Sequence, residues 1–263
     1  MADLKSIGNS APNVLFAASL AIWCWLLWTG ARKRLPLFSG MREPVSWPAL
    51  PVCATFLVAF FLPIFIMRLA APTSSLSALQ LRTAASVVQI VAIVGLLAIA
   101  GPLRASDFGC KLSNWRGDLV AGATGCLASL APVFLVMIAM DKLNLRGEED
   151  EHAILKMLGP SPAGGLIGWI ALAAVVFAPL AEELIYRVLL QGWAQSQMAP
   201  AKAILFSSVV FCLSHQTTDV LPLAPLALIL GYIYYRRRSY LAVVVAHALF
   251  NATMLTLAVA ARS

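Results

Sequence analysis

Charge is what this sequence has little of. Lys, Arg, Asp and Glu make up 12% of its 263 residues, about half the share of an ordinary soluble domain. With 60% of the chain hydrophobic, too little polar surface remains to cover a soluble globule. That excludes the soluble classes and leaves the bilayer as the natural solvent. No basic stretch is interleaved with exposed aromatics, so the net charge of +7 gives no reason to expect a nucleic-acid partner. The five cysteines (Cys24, Cys53, Cys110, Cys126 and Cys212) form no CxxC and no metal-ligand spacing, and read as reduced packing residues. Internal repeats and low-complexity segments are also lacking.

What the chain does have is apolar runs, at about 12–31, 48–67, 83–101, 119–140, 163–197, 201–214, 220–235 and 240–261. They predict an all-α fold, a multi-pass transmembrane bundle of about eight segments in one integrated membrane domain. Residues 1–162 form N-terminal helices and loops, and 163–263 form the informative core. One lysine, Lys5, precedes the first run and "TGARKRLP" follows it, which reads as a retained helix rather than a cleaved signal. Placing the N-terminus outside puts eleven Lys and Arg in inner loops and seven outside. The "RRR" of 236–238 is then cytoplasmic, and the acidic "EEDE" of 148–151 is outside. Both termini are expected outside, in the cell (inner) membrane.

The sixth and seventh runs are short. Fourteen helical residues rise about 21 Å, against a hydrocarbon core of about 30 Å. Between them lies the polar "SHQTTDV", Ser214 to Val220. Irregular polar backbone at depth is tolerated only under protein cover or beside water. Counted from the cytoplasmic ends at about 1.5 Å per residue, Glu182, His215, His247 and Asn251 reach similar depths. They are expected to converge on one water-filled cavity open to the cytoplasm.

The fifth run contains "FAPLAEELIYRVLLQG". Glu183 and Arg187, four apart, share a helix face and can pair. Glu182 points about 100° away and is not covered by that arginine. An unpaired acid at membrane depth marks a functional site, and one whose charged form is disfavoured suits a general base. Tyr186, four residues on, can donate to it. Histidine is scarce, with only three in the chain. His152 lies in the acidic outer loop and reads as a solvated surface residue. His215 closes a Phe211-x-x-x-His215 spacing, and His247 with Asn251 is an i,i+4 pair on one helix face.

"EELIYR", "FCLSH" and "HALFN", in this order on consecutive apolar runs, resemble the three signature motifs of the CPBP family. These are CAAX-type prenyl endopeptidases and their Abi relatives, intramembrane glutamic proteases. The resemblance spans roughly 163–261; the first four runs are not diagnostic. It implies that Glu182 activates a water with the help of His215, and that His247 and Asn251 stabilise the oxyanion. It also implies a supporting Glu183–Arg187 ion pair, a peptide substrate entering from the membrane or the cytoplasm, and no metal or other cofactor. Amide hydrolysis needs a base for water and donors for the developing charge.

Three rivals stand beside this reading. A metal-dependent protease could use Glu182, His215 and His247 as ligands, although no HExxH is present. A non-catalytic bacteriocin-immunity or scaffold protein would carry the same helices. A transporter could relay protons through buried acids, but the chain lacks an inverted repeat.

Overall fold

A computed structural model describes residues 4–31, 48–101, 103–110, 114–145 and 164–261. His152 and the acidic run at 148–151 lie outside these residues. Among the described residues the chain folds as a multi-pass bundle of eight helices: α1 (Leu4–Ala31), α2 (Ala49–Ala70), α3 (Ser75–Ala100), α4 (Trp115–Lys142), α5 (from Gly164 to Gln197), α6 (Pro200–Leu213), α7 (Val220–Arg237) and α8 (Tyr240–Ala260). No strand occurs among the described residues. Among the described residues, six helices (all but α6 and α7) are long and apolar enough to cross a membrane. Large apolar side chains such as Leu27, Phe61, Ile99 and Leu213 face outward, as a lipid-facing surface requires.

α5 is the inner helix. Its parts pack against α2, α3, α6, α7 and α8, while α4 packs against α1, α7 and α8. One apolar core runs from Val52 and Ile93 through Leu130 and Leu189 to Leu230 and Phe250, so the two halves of the chain share a single interior. α4 carries Gly122 and Gly125 where the other helices come closest. A Cβ on Gly122 would lie 2.8 Å from the Ala242 carbonyl, and one on Gly125 would meet Ile233.

Three prolines inside helices explain much of the remaining order. A helical proline has no N–H to give, so one upstream carbonyl is left without its helix partner. Pro63 in α2 leaves Ala59, whose carbonyl accepts from Gln89 Nε2 at 2.6 Å. Pro132 in α4 leaves Ala128, whose carbonyl accepts from Trp23 Nε1 at 2.9 Å. Beside it, the Ala131 N–H donates to buried Ser19 Oγ at 2.9 Å. Each freed carbonyl thus pins a second helix, α3 to α2 and α1 to α4. The third proline, Pro179, lies at the site.

α5 is not a uniform α-helix. Leu172–Phe177 and Leu184–Gln191 are wound as π-helix, with Ala178–Glu183 as an α stretch between them. π turns gather at functional sites, and these two flank the glutamate pair.

The basic triplet at 236–238 differs from the sequence expectation of plain loop charges. Arg237 is buried, and its Nη2 pairs with Asp118 Oδ1 of α4 at 2.7 Å. Arg238 caps α7 in the left-handed region at φ 48°, with its guanidinium 5.6 Å from the centre of the Tyr234 ring. A sequence count sees only sign and position; it misses the buried acid three helices earlier.

Candidate active site

Adjacent helical residues point about 100° apart, so one side chain of the glutamate pair turns inward and the other turns to an opening. Glu183 is fully buried, while the Glu182 side chain is 27% exposed. Glu183 Oε2 accepts from Arg187 Nε at 3.2 Å, the expected i,i+4 pair. Its other oxygen, Oε1, lies 2.9 Å from His247 Nδ1. A carboxylate paired with arginine can only accept, so Nδ1 of His247 carries a proton. Its Nε2 then faces Glu182 Oε2, 3.9 Å away.

His215 is fixed in the same sense. Its Nδ1 lies 2.8 Å from the Phe211 carbonyl, which can only accept, so this ring also keeps its proton on Nδ1. Ser214 Oγ donates to the same carbonyl at 2.7 Å. His215 Nε2 is 3.8 Å from Glu182 Oε2. Two imidazole nitrogens and one carboxylate oxygen therefore converge. Separations of 3.8 and 3.9 Å exceed a direct hydrogen bond and leave all three atoms within reach of one water set beside them. Among the described residues, no group of three or more His, Cys, Asp or Glu is arranged to hold a metal ion.

Phe211 is the packing centre, fully buried. Its ring centroid is 4.6 Å from the His215 ring, 5.8 Å from His247 and 5.2 Å from Tyr186. The Arg187 guanidinium lies 5.3 Å over it. Tyr186, expected beside Glu182, instead sits between Phe211 and Phe56 with its hydroxyl turned to Ser214. The π register beginning at Leu184 alters the angular spacing on which the i,i+4 expectation rested.

Asn251 follows His247 by one helical turn, and its Nδ2 donates to the Ala174 carbonyl at 2.8 Å. Pro179 explains why that carbonyl is available. In the first π stretch the N–H of Ala178 reaches Ala173, so the next residue in that register would reach Ala174. That residue is Pro179, which has no N–H. Asn251 thereby ties α8 to α5 eight residues before Glu182, and its amide nitrogen keeps a second proton for another acceptor. A groove of about 390 Å³ adjoins this contact, lined by residues that include Val175, Ala252 and Thr256. The single cavity expected for all four residues is not this one: none of Glu182, His215, His247 and Asn251 lines it.

The structure therefore brings Glu182, His215 and His247 together over the Glu183–Arg187 pair, and holds Asn251 on Ala174, one helical turn beyond His247. Sequence reasoning missed the His247–Glu183 bond, which joins two motifs 64 residues apart. It also missed Ser207 and Gln191, which continue the polar contact beyond Arg187. A signal was present in the spacing: Ser207, Phe211 and His215 recur every fourth residue, as do Glu183, Arg187 and Gln191.

Residues 164–253 match the model of the Rce1-like family of type II CAAX prenyl endopeptidases. The match takes in all three motifs and bears out the resemblance to CAAX-type membrane proteases over that segment. The chain has no match among curated proteins or solved structures.

Proposed function

Taking residues 164–253 as the type II CAAX endopeptidase segment of this membrane protein, we propose that it is an intramembrane endopeptidase of the glutamic type. It hydrolyses a peptide bond of a membrane-associated, lipid-modified or extended substrate. Glu182 takes a proton from a water held between its Oε2 and the histidine Nε2 atoms. The water oxygen attacks the scissile carbonyl carbon, and negative charge builds on the carbonyl oxygen. The second N–H of Asn251 meets that charge. The tetrahedral adduct then collapses, and the proton on Glu182 passes to the leaving amine. Glu183 and Arg187 take no part in proton transfer; they hold His247.

The observation that carries this reading is the partly exposed Glu182 with two histidine Nε2 atoms at 3.8 and 3.9 Å, both rings fixed from behind through Nδ1. A partly exposed acid flanked by such rings has access to substrate, which a purely structural acid does not need. A metal-dependent version is the second reading; it would need Glu182, His215 and His247 as ligands, which are not arranged to hold a metal, and Asn251 opposes it, because an amide is a poor zinc ligand.

The site is assigned to the cytoplasmic half of a cell (inner) membrane with both termini outside, in keeping with the distribution of basic residues. The test compares membrane peptides from cells carrying the native chain or Glu182→Ala at equal expression. Fragments sharing a cleavage position and present only with the native chain are expected. Identical peptide sets would leave the scaffold reading. Activity of the purified protein should survive a membrane-compatible chelator; loss on chelation with restoration by zinc would move the mechanism to the metal-dependent version.

A further inference from the structure

Four fully buried polar side chains, Glu183, Arg187, Gln191 and Ser207, lie in one line behind His247. We propose that Gln191 and Ser207 are positioning residues for the Glu182 site. They complete a one-way hydrogen-bond chain that keeps the proton of His247 on Nδ1 and aims its Nε2 at Glu182. The inference about catalysis rests on the peptidase reading; the chain itself does not.

The direction of each link follows from what its atoms can do. Gln191 Nε2 donates to the Gly231 carbonyl of α7 at 2.8 Å. That fixes the amide and turns Oε1 toward Ser207, whose Oγ lies 3.1 Å away. The Ser207 hydroxyl has one proton and two acceptors in reach, Gln191 Oε1 and the Ile204 carbonyl at 3.2 Å. The Ile204 carbonyl is already in the α6 ladder, whereas Oε1 is buried and needs a donor, so the proton goes to Gln191. The Ser207 oxygen then accepts from Arg187 Nη1 at 3.1 Å. Arg187 Nε donates to Glu183 Oε2, and Glu183 Oε1 accepts from His247 Nδ1.

Gly231 makes the first link accessible. A Cβ there would lie 3.1 Å from Gln191 Oε1 and 2.9 Å from Ile204 Cγ2, so a larger residue would push the α7 backbone off the chain. Stability alone does not account for the arrangement. Apolar residues of similar volume often serve a buried core as well as or better than an ion pair does, whereas a run of directed hydrogen bonds fixes one geometry even though Arg187 Nη2 has no hydrogen-bond partner among the described residues.

The test uses full-length protein in detergent micelles with ¹⁵N-labelled histidine, of which the chain has three. In the native chain, His247 should show one tautomer with a slowly exchanging Nδ1–H. In Ser207→Ala and Gln191→Met that signal should broaden or shift toward a mixture of tautomers. The double variant should do no more than either single one, because both cut the same chain. Ser207→Thr, which keeps the hydroxyl, should restore the native signal. In the peptidase assay the same variants should lose about tenfold in kcat with KM kept, the size of effect that losing an orienting partner has.

Native histidine signals in folded Ser207→Ala and Gln191→Met would overturn the proposal. Should Ser207→Ala fail to fold, Gln191→Met with Ser207→Thr decides it. A native chain that cleaves nothing but shows the expected signals would sink the peptidase reading and leave the chain standing. Cleavage unchanged in variants with native signals would do the reverse.

Discussion

At the scale of residues, Glu182 and Glu183 differ by one position and by everything around them. Glu183 meets Arg187 and His247 in a fully buried setting; Glu182 faces two imidazoles and an opening. Removing Arg187 leaves Glu183 buried without its cation, so Arg187→Ala should lose about 3–5 kcal/mol of stability. Glu182→Gln keeps the shape of a partly exposed group and should stay within about 0.5 kcal/mol of native. Thermal unfolding in one detergent compares them; the reverse order would contradict the division into supporting and reactive acids. Asn251 has two tasks that can be separated. Asn251→Ala should lower turnover by roughly 10²–10³, as loss of one oxyanion donor does, and should also release the Ala174 carbonyl. Adding Pro179→Ala supplies an N–H to that carbonyl. The double variant should regain stability and not turnover. If turnover returned as well, Asn251 would be only a clamp.

At the scale of elements, the same device recurs where Pro63 and Pro132 free carbonyls for Gln89 and Trp23. Gln89→Leu should destabilise by about 1 kcal/mol, and Pro63→Ala in that background should return most of it by restoring the helix bond to Ala59. Urea or thermal titration of the four proteins checks this; equal stability of Gln89→Leu in both backgrounds would contradict it. Helix positions were largely legible, because apolar run length alone sets where a membrane helix can lie. The start of α3 was not. Expected near residue 83, it begins at Ser75 with a Ser74–Ser77 capping box, so its first two turns carry serines and a glutamine that hide it from a hydropathy reading. The π turns of α5 and the side chains that answer each proline were also illegible, since Trp23 lies 105 residues from Ala128 and only packing brings them together.

At the scale of the whole molecule, the apolar runs made the helical class readable, and the ordered motifs, each placing polar groups on an otherwise apolar helix, made the segment that matches the Rce1-like family readable. The couplings between motifs were not readable: local spacing does not tell which buried acid a basic residue will meet. Arg237 shows the consequence, because it sits in the basic break between α7 and α8 and also ties α7 to Asp118 of α4. The orientation itself is testable. With both termini outside, an Arg236→Cys variant in a cysteine-free background should be labelled by a membrane-impermeant maleimide only from the cytoplasmic side. Labelling from outside would invert the topology.

The most direct measurement is turnover of a membrane-associated peptide by purified protein in liposomes, native against Glu182→Gln. Both proteins should bind the peptide and unfold at the same temperature, while the variant turns over less than about one thousandth as fast, the scale set by losing a general base. A Glu182→Gln protein that cleaves at the native rate would contradict the assignment of Glu182 as the group that activates water.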